Sequence, residues 1–506
     1  MSSADARPAE HFDVVIIGAG ITGIDGGHHL KAHCPDRSFV MLEAQESFGG
    51  TWLTHRYPGI RSDSDLYTFG YAFKPWIGPP IATAAEIRKY LGEVIAEDGL
   101  DAHIRYGRQV TSARWSSEDD RWTLEGLCKD TGERFVLTCD FLWMCQGYYR
   151  HSEGYTPDWP GMADFAGRIV HPQTWPANLD YAGRRVVVIG SGATAATIVP
   201  AMAADSAHVV MLQRSPTYFF PDRNQNRLAD TLREIGVDEA QVHDIVRRKI
   251  VHDQHRFVDR ALNDPEGVKA MLLAGVAEHL PWETVEAHFT PTYKPWRQRI
   301  AVVPDGDLFA AVRSGRASVV TDHIDRFTRE GVLLKSGRLL EADIVVTATG
   351  FNLNVMGDIA FSIDGEPLDF ADTVTWRGMM FTGVPNLLWV LGYFRGASWT
   401  LKADLLAGFV CRLLNHMTAI DAARVEVALR PQDEGMPLLD WIDPDTFSPG
   451  YLMRGVRLLP RRGDKVEWMH SQDYWRERDE LPRIDLDDEA FVYRRRRRGA
   501  AKVSAA

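Results

Sequence analysis

Two glycine-rich segments of this chain have the spacing of a phosphate-binding cradle. In the first, Gly18, Gly20 and Gly23 form a GxGxxG pattern directly after the apolar run 12–17, and a helical stretch follows. Gly18 allows the tight turn, Gly20 lets the backbone approach a pyrophosphate, and Gly23 lets the helix pack against the strand. The helix N-terminus, where Thr22 lies, offers free N–H groups and the positive end of the helix dipole. The pattern predicts a dinucleotide site.

An acidic residue at the end of the next strand indicates which dinucleotide binds there. The apolar run 39–42 ends at Glu43. The distance from the glycines is about twenty residues, at which a carboxylate binds a ribose hydroxyl in such folds. A carboxylate suits an adenosine without a 2′-phosphate, so the first cradle is predicted to bind FAD or NAD.

The same unit recurs in the middle of the chain. The run 185–189 leads into a second glycine-rich turn, and the following run 208–212 ends in Gln213-Arg214-Ser215. An arginine can pair with a 2′-phosphate, whereas a carboxylate would repel it. The second cradle is therefore predicted to bind NADP, with an ordinary surface arginine as the alternative for Arg214. The expected contacts are Gly190, Ser191, Gly192, Ala193, Thr194, Ala195, Arg214 and Ser215.

These sites require an α/β fold with two nested Rossmann-like dinucleotide-binding domains, one for FAD and one for NADP, and an inserted helical region. The runs 140–147 and 343–350 both end in glycine, as expected for strands that return the chain between the two domains. The predicted divisions are 1–147 (first part of the FAD domain), 148–349 (NADP domain, with a helical insertion at about 222–290), and 350–506 (second part of the FAD domain and the C-terminal tail).

Composition narrows the class of protein. The net charge of −12 disfavours a nucleic-acid binder, and the 5 cysteines form no CxxC pattern, which favours free thiols in the cytoplasm. No apolar run reaches the length of about 18 residues that a membrane span needs. The basic run 494–498 is expected to be a solvated tail, with weak contact to an anionic membrane surface as the alternative.

Two cradles of different preference indicate a flavoprotein that takes hydride from NADPH. A disulfide reductase would need a pair of cysteines beside the flavin, but the segment 43–70 contains none. No pattern of haem or iron–sulfur ligands occurs either. The remaining acceptor is dioxygen, reduced on the flavin itself.

Two longer motifs resemble a known family. The segment 165–176 fits FxGxxxHxxxWP, and the segment 49–63 fits GGxWxxxxYPGxxxD. Both are similar to signatures of the type I Baeyer–Villiger monooxygenases, which are class B flavoprotein monooxygenases. Stretches such as 57–71 and 188–217 resemble most closely the subgroup of ethionamide-activating monooxygenases.

The resemblance implies an activity. In that family NADPH reduces FAD, O2 adds to give a C4a-peroxyflavin, and this species converts ketones to esters or lactones and often oxidises sulfides. The substrate partner would then be a small ketone or sulfide. One alternative is a flavin monooxygenase that acts mainly on S or N heteroatoms, and another is a redox-sensing or scaffold flavoprotein without turnover.

The resemblance also assigns roles to single residues. Arg299 matches the family's catalytic arginine, with Asp63 orienting it; a permanently charged guanidinium suits an anionic peroxide and an oxyanion. A purely structural Arg–Asp pair is the alternative. Gln298 stands where the wider family often has a lysine that helps to hold the 2′-phosphate. The further implied contacts are Thr51 and Trp52 with FAD, Val110 with its adenine, and Arg61 and Ser62 with NADP.

Three residues in or near these motifs have more than one interpretation. Trp52 could equally belong to the core. His171 could act as a general base, although the family uses its segment as a linker between domains. The segment 392–404 is expected to begin a helix that faces the flavin, whose N-terminus can stabilise anionic reduced flavin; ordinary helix capping by Ser398 is the compatible alternative.

Overall fold

The computed structural model of the protein describes residues 9–495. Its first part, up to residue 147, contains β1 (Glu10–Ile17), α1 (Ile21–His33), β2 (Phe39–Leu42), α2 (Thr51–Thr54), α3 (Leu66–Phe69), α4 (Ala84–Asp98), β3 (Ile104–Arg105), β4 (Arg108–Ser116), β5 (Arg121–Cys128) and β6 (Arg134–Met144).

The middle part holds most of the helices. It contains β7 (Tyr149–Gly154), β8 (Arg168–Val170), β9 (Arg185–Ile189), α5 (Ala193–Ala203), β10 (His208–Gln213), β11 (Phe219–Asp222), α6 (Arg227–Glu234), α7 (Glu239–Asn263), α8 (Pro265–Ala277), α9 (Trp282–His288), β12 (Ala301–Pro304), α10 (Asp307–Arg313), β13 (Ala317–Thr321), β14 (Ile324–Phe327), β15 (Gly331–Leu334), β16 (Leu339–Glu341) and β17 (Ile344–Thr347).

The last part returns to the first sheet. It contains β18 (Phe351–Leu353), β19 (Ala360–Ile363), β20 (Glu366–Pro367), β21 (Thr375–Trp376), β22 (Met380–Phe381), β23 (Leu387–Trp389), α11 (Trp399–Ala419), β24 (Ala422–Val427), α12 (Gly450–Gly455), α13 (Tyr474–Glu480) and β25 (Phe491–Arg495).

Two main sheets carry the two cradles. The first has the order β20-β19-β4-β5-β6-β1-β2-β3, with β23 also pairing with β6, and the second is a parallel sheet in the order β13-β10-β9-β17-β8. β1 lies between β2 and β6, and β9 lies between β10 and β17. The residues from Val14 to Ile17 are all buried, as expected for a strand covered on both faces. The α/β fold with two dinucleotide-binding sheets, predicted from sequence, is confirmed.

The chain passes between the two main sheets twice, and the two connecting segments lie side by side. β7 pairs antiparallel with β18, so that Gly154 lies opposite Phe351. The Tyr155 N–H donates to Gly350 O at 3.0 Å. The predicted division at 147 and 349 stays a prediction, but this pairing places both proposed crossings in one double connection.

The predicted insertion at 222–290 is helical. Helices α6 to α9 occupy 227–288, and Asp238 caps α7 by accepting from the N–H of Ala240. Val242 and Val246 of α7 share a core cluster with Tyr71 of the first part. Helix α7 is thus anchored on the first sheet's side, whereas buried residues of α8 and α9 belong to the core cluster of the second sheet.

A buried ion pair joins two helices of the last part. Lys402 in α11 and Glu477 in α13 are 0% and 1% exposed at their side chains and form an ion pair, and the Tyr393 hydroxyl also donates to Glu477. Desolvation lowers the pKa of Lys402, although Glu477 opposes this shift. The pair therefore ties the C-terminal segment to α11.

Removing one partner of this pair is expected to destabilise the fold strongly. Lys402→Met leaves the Glu477 carboxylate buried without its cation, which costs about 3–5 kcal/mol of unfolding free energy. Urea unfolding measures this loss. The control is Lys89→Met, which removes an ion pair with Glu93 whose lysine side chain is 80% exposed; it should change stability by less than about 1 kcal/mol. Equal losses in the two variants would contradict the role of the buried pair.

Three further sequence expectations concern the cysteines, membrane-spanning helices and the basic run near the C-terminus. All 5 cysteines are buried and free. Within the described residues, no helix has both the length and the apolar character needed to cross a bilayer. Of the basic run 494–498, Arg494 and Arg495 belong to β25 and are exposed, and the rest lies outside the described residues.

Candidate active site

The first cradle forms at the carboxyl end of β1. Gly18 has φ +104°, and a Cβ there would lie 2.8 Å from the carbonyl oxygen of Cys145. A Cβ on Gly23 would lie 1.9 Å from Gly18 O, which is why helix and turn can pack only with glycine. At Gly20, by contrast, the nearest protein atom to a Cβ is 3.7 Å away. The space over Gly20, at the N-terminus of α1, is open for a ligand.

Glu43 lies at the end of β2, where the sequence places a ribose-binding carboxylate. Its Oε2 accepts the N–H of Ala19 at 2.7 Å, and its Oε1 accepts the N–H of Gln45 at 2.9 Å. Burial raises the pKa of Glu43, although these N–H groups oppose the shift. The carboxyl group therefore both holds the glycine turn and borders the ligand space.

A cavity of about 520 Å³ runs from the first cradle to Arg299 and to Phe351 at the double connection. This volume lies in the range of about 300–1,000 Å³ typical of small-molecule and cofactor sites. Gln146 lines it, and both atoms of its buried side-chain amide lack a hydrogen-bond partner among the described residues. An extended polar ligand in the cavity would satisfy this amide. The predicted residues that line it are Gly18, Gly20, Thr22, Glu43, Thr51, Trp52, Asp63, Val110 and Arg299.

Arg299 and Asp63 meet at the same cavity although 236 residues separate them. The guanidinium is bidentate: Nε lies 2.7 Å from Asp63 Oδ2, and Nη2 donates to Asp63 Oδ1 at 2.9 Å. Nη2 also donates to Ser64 Oγ at 3.1 Å. Desolvation is the largest single influence and would lower the pKa of Arg299, but the charge and hydrogen bond of Asp63 together with Tyr148 and Tyr451 raise that pKa above its ordinary value. Arg299 is thus a fixed, permanently charged donor facing the cavity.

The second cradle repeats the geometry of the first. The Gly18 N–H donates to Leu42 O at 2.8 Å, and the equivalent Gly190 N–H donates to Leu212 O at 2.9 Å. A Cβ on Gly190 would lie 2.3 Å from Ala348 O, whereas one on Gly192 would meet no atom within 4 Å. The N-terminus of α5 therefore also has open space above it.

Arg214 lies at the tip of β10 in this second cradle. It is exposed, and within the described residues it has no hydrogen-bond or ion-pair partner. The neighbouring Ser191 Oγ donates to Ser215 O at 3.1 Å and contacts Thr217 Oγ1 at 2.8 Å. A free guanidinium beside an ordered turn is suited to a phosphate group.

The geometry agrees with comparisons to known proteins. The family model described as pyridine nucleotide-disulphide oxidoreductase matches residues 12–273. The FAD-containing monooxygenase EthA of Mycobacterium tuberculosis is 44% identical over 494 residues, covering 96% of this chain and 98% of that protein. The probable FAD-binding monooxygenase AlmA of Acinetobacter baylyi is 40% identical, covering 95% of each chain. This chain belongs to the FAD-containing monooxygenases.

Solved structures confirm the fold of this monooxygenase. A complex of OTEMO with FAD and NADP has a TM-score of 0.76 at 19% identity, covering 96% of this chain and all of the other. An oxidised steroid monooxygenase bound to NADP has a TM-score of 0.74 at 21% identity, with the same coverage. A cyclohexanone monooxygenase with ε-caprolactone bound has a TM-score of 0.74 at 22% identity, again with that coverage. At these identities the likeness shows the architecture.

The monooxygenase lacks the cysteine pair of a disulfide reductase. Only one of its 5 cysteines, Cys145, lines the cavity, and desolvation raises the pKa of that thiol. A redox disulfide beside a flavin needs two thiols. The monooxygenase assignment agrees with this single, protonated cysteine.

None of the residues expected at NADP lines this cavity, and two of them, Arg61 and Ser62, are engaged by other protein groups. Arg61 is bidentate to Asp307, with distances of 2.5 and 3.1 Å. Ser62 is buried, and its Oγ donates to the carbonyl of Ser64 at 2.8 Å. A Cβ on Gly59 would lie 2.7 Å from Cβ of Ala201 in α5. These contacts show that the segment packs on α5 and α10 of the middle part of the chain; contact with NADP stays a prediction.

His171 lies at the double connection between the sheets. Its Nε2 is 3.2 Å from Gly350 O, and its Nδ1 accepts the N–H of Gln173 at 3.1 Å. Burial lowers its pKa. A Cβ on Gly154 would lie 1.8 Å from the imidazole, so the ring packs directly on this strand. The geometry fits a linker better than a base, because both ring nitrogens are engaged with backbone.

Ser398 occupies the N-cap position of the predicted helix, but its side chain does not cap it. Helix α11 does begin at Trp399, but the Ser398 side chain makes no capping bond. Its Oγ instead lies 2.7 Å from Thr68 Oγ1 of α3. The Thr68 hydroxyl takes the place of a capping N–H as the partner of Ser398, because α3 and α11 pack together in the fold.

Sequence reasoning missed the aromatic wall of the cavity. Tyr148 stacks on Trp399 with ring centroids 4.8 Å apart, and Tyr149 stacks on Phe351 at 4.5 Å. The Tyr149 hydroxyl contacts Thr51 Oγ1 at 2.8 Å. The signal for the two tyrosines was their position directly after the strand at 140–147, since ligands bind beyond the carboxyl ends of such strands.

Proposed function

We propose that this flavin monooxygenase is of the Baeyer–Villiger type, consuming NADPH and O2 to convert ketones to esters or lactones and also oxidising sulfides. The observation that carries the proposal is the Arg299–Asp63 pair on the same cavity as the first cradle. The cyclohexanone monooxygenase with ε-caprolactone bound, a cyclic ester, is a structural neighbour that supports the ketone-to-lactone direction.

The first cradle fits FAD. The open space over Gly20, the Glu43 carboxyl at the ribose position and the unpaired Gln146 amide would hold pyrophosphate, ribose and a polar part of the cofactor. When bound, FAD supplies the transfer of electrons from NADPH to O2. Trp52, Thr51 and the stacked aromatic side chains border the same cavity and exclude water from it.

Arg299 acts on the negative charge that develops on the substrate carbonyl oxygen. At about 4 Å and an effective dielectric near 20, one positive charge contributes on the order of 4 kcal/mol. Asp63 holds the edge of the guanidinium formed by Nε and Nη2, so the donor does not have to reorganise during the reaction. Nη1 stays available for the substrate, because Asp63 and Ser64 engage Nε and both N–H groups of Nη2.

The second cradle is proposed to bind NADPH. Its support is the open N-terminus of α5 over Gly192 and the unpaired Arg214 at the strand tip. Two structural neighbours, OTEMO and steroid monooxygenase, are described as bound to NADP. The expected cytoplasmic location fits the free thiols, since a reducing compartment keeps such thiols unpaired.

Arg214→Ala is expected to raise the KM for NADPH by about ten- to a hundredfold and the KM for NADH by less than about twofold, because only NADPH carries the 2′-phosphate. Steady-state oxidation of each cofactor measures this. Arg223→Ala, another exposed arginine of this part of the chain, is the control and should leave both values unchanged. Equal effects of Arg214→Ala on the two cofactors would remove the 2′-phosphate assignment.

Product analysis tests the proposed reaction. The purified protein is given NADPH and O2 with linear, cyclic and aryl ketones and, in parallel, a thioether, and mass spectrometry identifies the products. Esters or lactones support the Baeyer–Villiger assignment, whereas S-oxides alone would support a heteroatom monooxygenase. Tightly bound FAD without substrate-dependent NADPH loss would indicate a flavoprotein without turnover.

A further inference from the structure

Three potential metal ligands meet between α1 and α11, outside the cavity lining. Asp25 and His29 lie one turn apart on α1, and Asp404 lies near the beginning of α11. His29 Nε2 is 3.2 Å from Asp404 Oδ1 and 3.7 Å from Asp25 Oδ1. One donor atom from each residue lies within 4.8 Å of the other two.

Asp25 is the unusual member of this group. The residue is 1% exposed, and neither of its carboxylate oxygens has a hydrogen-bond partner among the described residues. Desolvation accordingly raises the pKa of Asp25 to about 8. A buried carboxyl group without hydrogen bonds destabilises a protein unless something else engages it, such as a cation.

We propose that Asp25, His29 and Asp404 bind a divalent transition-metal ion, for which Zn²⁺ is the best match. One imidazole nitrogen and two carboxylate oxygens are common zinc ligands, with bonds of about 2.0–2.2 Å. Tetrahedral ligands at such bond lengths lie about 3.3–3.6 Å apart. The observed separations of 3.2 and 3.7 Å bracket this range. The imidazole favours zinc over magnesium or calcium.

The fourth position of the metal faces the surface. The Asp404 side chain is 32% exposed, whereas that of Asp25 is 2% exposed. A cavity of about 500 Å³ lies nearby, lined in part by Phe73, whose ring contacts His29 edge-on. Solvent and ions can therefore reach the group from the Asp404 side.

Nearby charges permit a cation. Besides His29 itself, Arg247 acts on both carboxyl groups and His28 acts on Asp404; when both carboxyl groups are ionised, Arg247 carries one positive charge against their two negative ones. Its Nη1 is already committed to the backbone carbonyls of Tyr67 and Gly70, at 3.0 and 2.8 Å. Without metal, a proton on Asp25 and an imidazolium beside Asp404 would satisfy the group, so zinc binding displaces protons.

The metal would connect two helices that begin at the catalytic cavity. α1 begins at the first cradle, and α11 begins with Trp399, which stacks on Tyr148 in the cavity wall. The ion stabilises this arrangement and takes no part in the reaction. Its loss is expected to lower thermal stability.

The test uses tag-free holoenzyme that is treated with chelator, dialysed against ZnCl2 and freed of unbound metal. Mass spectrometry of the elements is expected to find about one zinc per wild-type chain, and zinc is expected to raise Tm by about 2 °C or more. Asp25→Asn should bind less than about a tenth as much zinc and show no shift. In metal-free protein Asp25→Asn should leave Tm close to that of wild type, because the amide replaces a protonated carboxyl group of the same shape.

Two further variants keep the test decisive. Asp98→Asn changes the neighbouring pair in which Asp98 lies 2.7 Å from His28, and it should bind zinc like wild type. His29→Gln should lose zinc while retaining bound flavin, which reports an intact fold. Equal zinc content in wild type and Asp25→Asn, or no stoichiometric zinc in wild type, would overturn the proposal in favour of a shared proton. A larger Tm rise with Mg²⁺ than with Zn²⁺ would overturn the choice of metal.

Discussion

Replacing Arg299 by alanine is expected to lower kcat/KM for ketone oxygenation by at least about 10²–10³-fold, while NADPH still reduces the flavin. The guanidinium is the fixed positive charge that faces the cavity, and its geometry depends on a two-point contact with Asp63. Its removal deprives the developing oxyanion of its donor but leaves both dinucleotide cradles intact. Stopped-flow reduction under anaerobic conditions and product analysis in air separate the two steps.

Three further variants test whether the effect is specific to the Arg299 guanidinium and its contact with Asp63. Arg297→Ala removes an exposed arginine whose nearest carboxylate, Asp445, is 3.7 Å away, and it should retain activity. Arg299→Lys keeps the charge but loses the fork, so it should recover only part of the rate. Asp63→Asn keeps the shape but weakens the positioning of Arg299, and should lower kcat more than KM. Ester formation at the wild-type rate in Arg299→Ala would refute the assigned role.

Gly23→Ala is expected to weaken FAD binding by at least about 100-fold, or ~2.8 kcal/mol. The new Cβ would lie 1.9 Å from the carbonyl oxygen of Gly18, a backbone atom that cannot yield without moving the cradle. The ratio of flavin to protein absorbance after purification, followed by titration with FAD, measures the loss. Circular dichroism shows whether the chain remains folded.

The other cradle glycines are graded controls for Gly23→Ala. Gly20→Ala meets no protein atom closer than 3.7 Å, so the apoprotein should fold, yet its Cβ occupies the proposed pyrophosphate space and should weaken FAD binding about tenfold. Gly192→Ala lies in the second cradle and meets no atom within 4 Å. It should keep full flavin content and affect only NADPH. Loss of flavin in Gly192→Ala would contradict the assignment of cofactors to cradles.

Most of the fold was predictable because its signals are local. An apolar run, a glycine turn and a helix occur within a few residues of one another at Gly18 and again at Gly190, and the carboxylate at Glu43 follows at fixed spacing. The pairing of Arg299 with Asp63 was predictable from resemblance alone. Nothing in their separation along the chain indicates that the two side chains would meet.

Other features could not be predicted from sequence, because they depend on packing between distant segments. Ser398 stands at the N-cap position of α11, but its side chain contacts the hydroxyl of Thr68 on another helix and makes no capping bond. Lysine and glutamate are usually exposed at the surface, yet Lys402 and Glu477 are buried together as an ion pair. Asp25 and His29 both lie on α1, and only the packing of α11 against α1 places Asp404 beside His29.

The sequence by itself determined that two dinucleotide cradles exist and that they differ in charge at the strand tip, since turn conformation and strand-end chemistry depend on adjacent residues. Tertiary structure decided which side chains share the cavity, which elements the segment with Arg61 and Ser62 packs against, and where a carboxyl group is buried without hydrogen bonds. The physical reason is that burial and long-range contact depend on how whole elements pack, and short-range patterns carry no information on that packing.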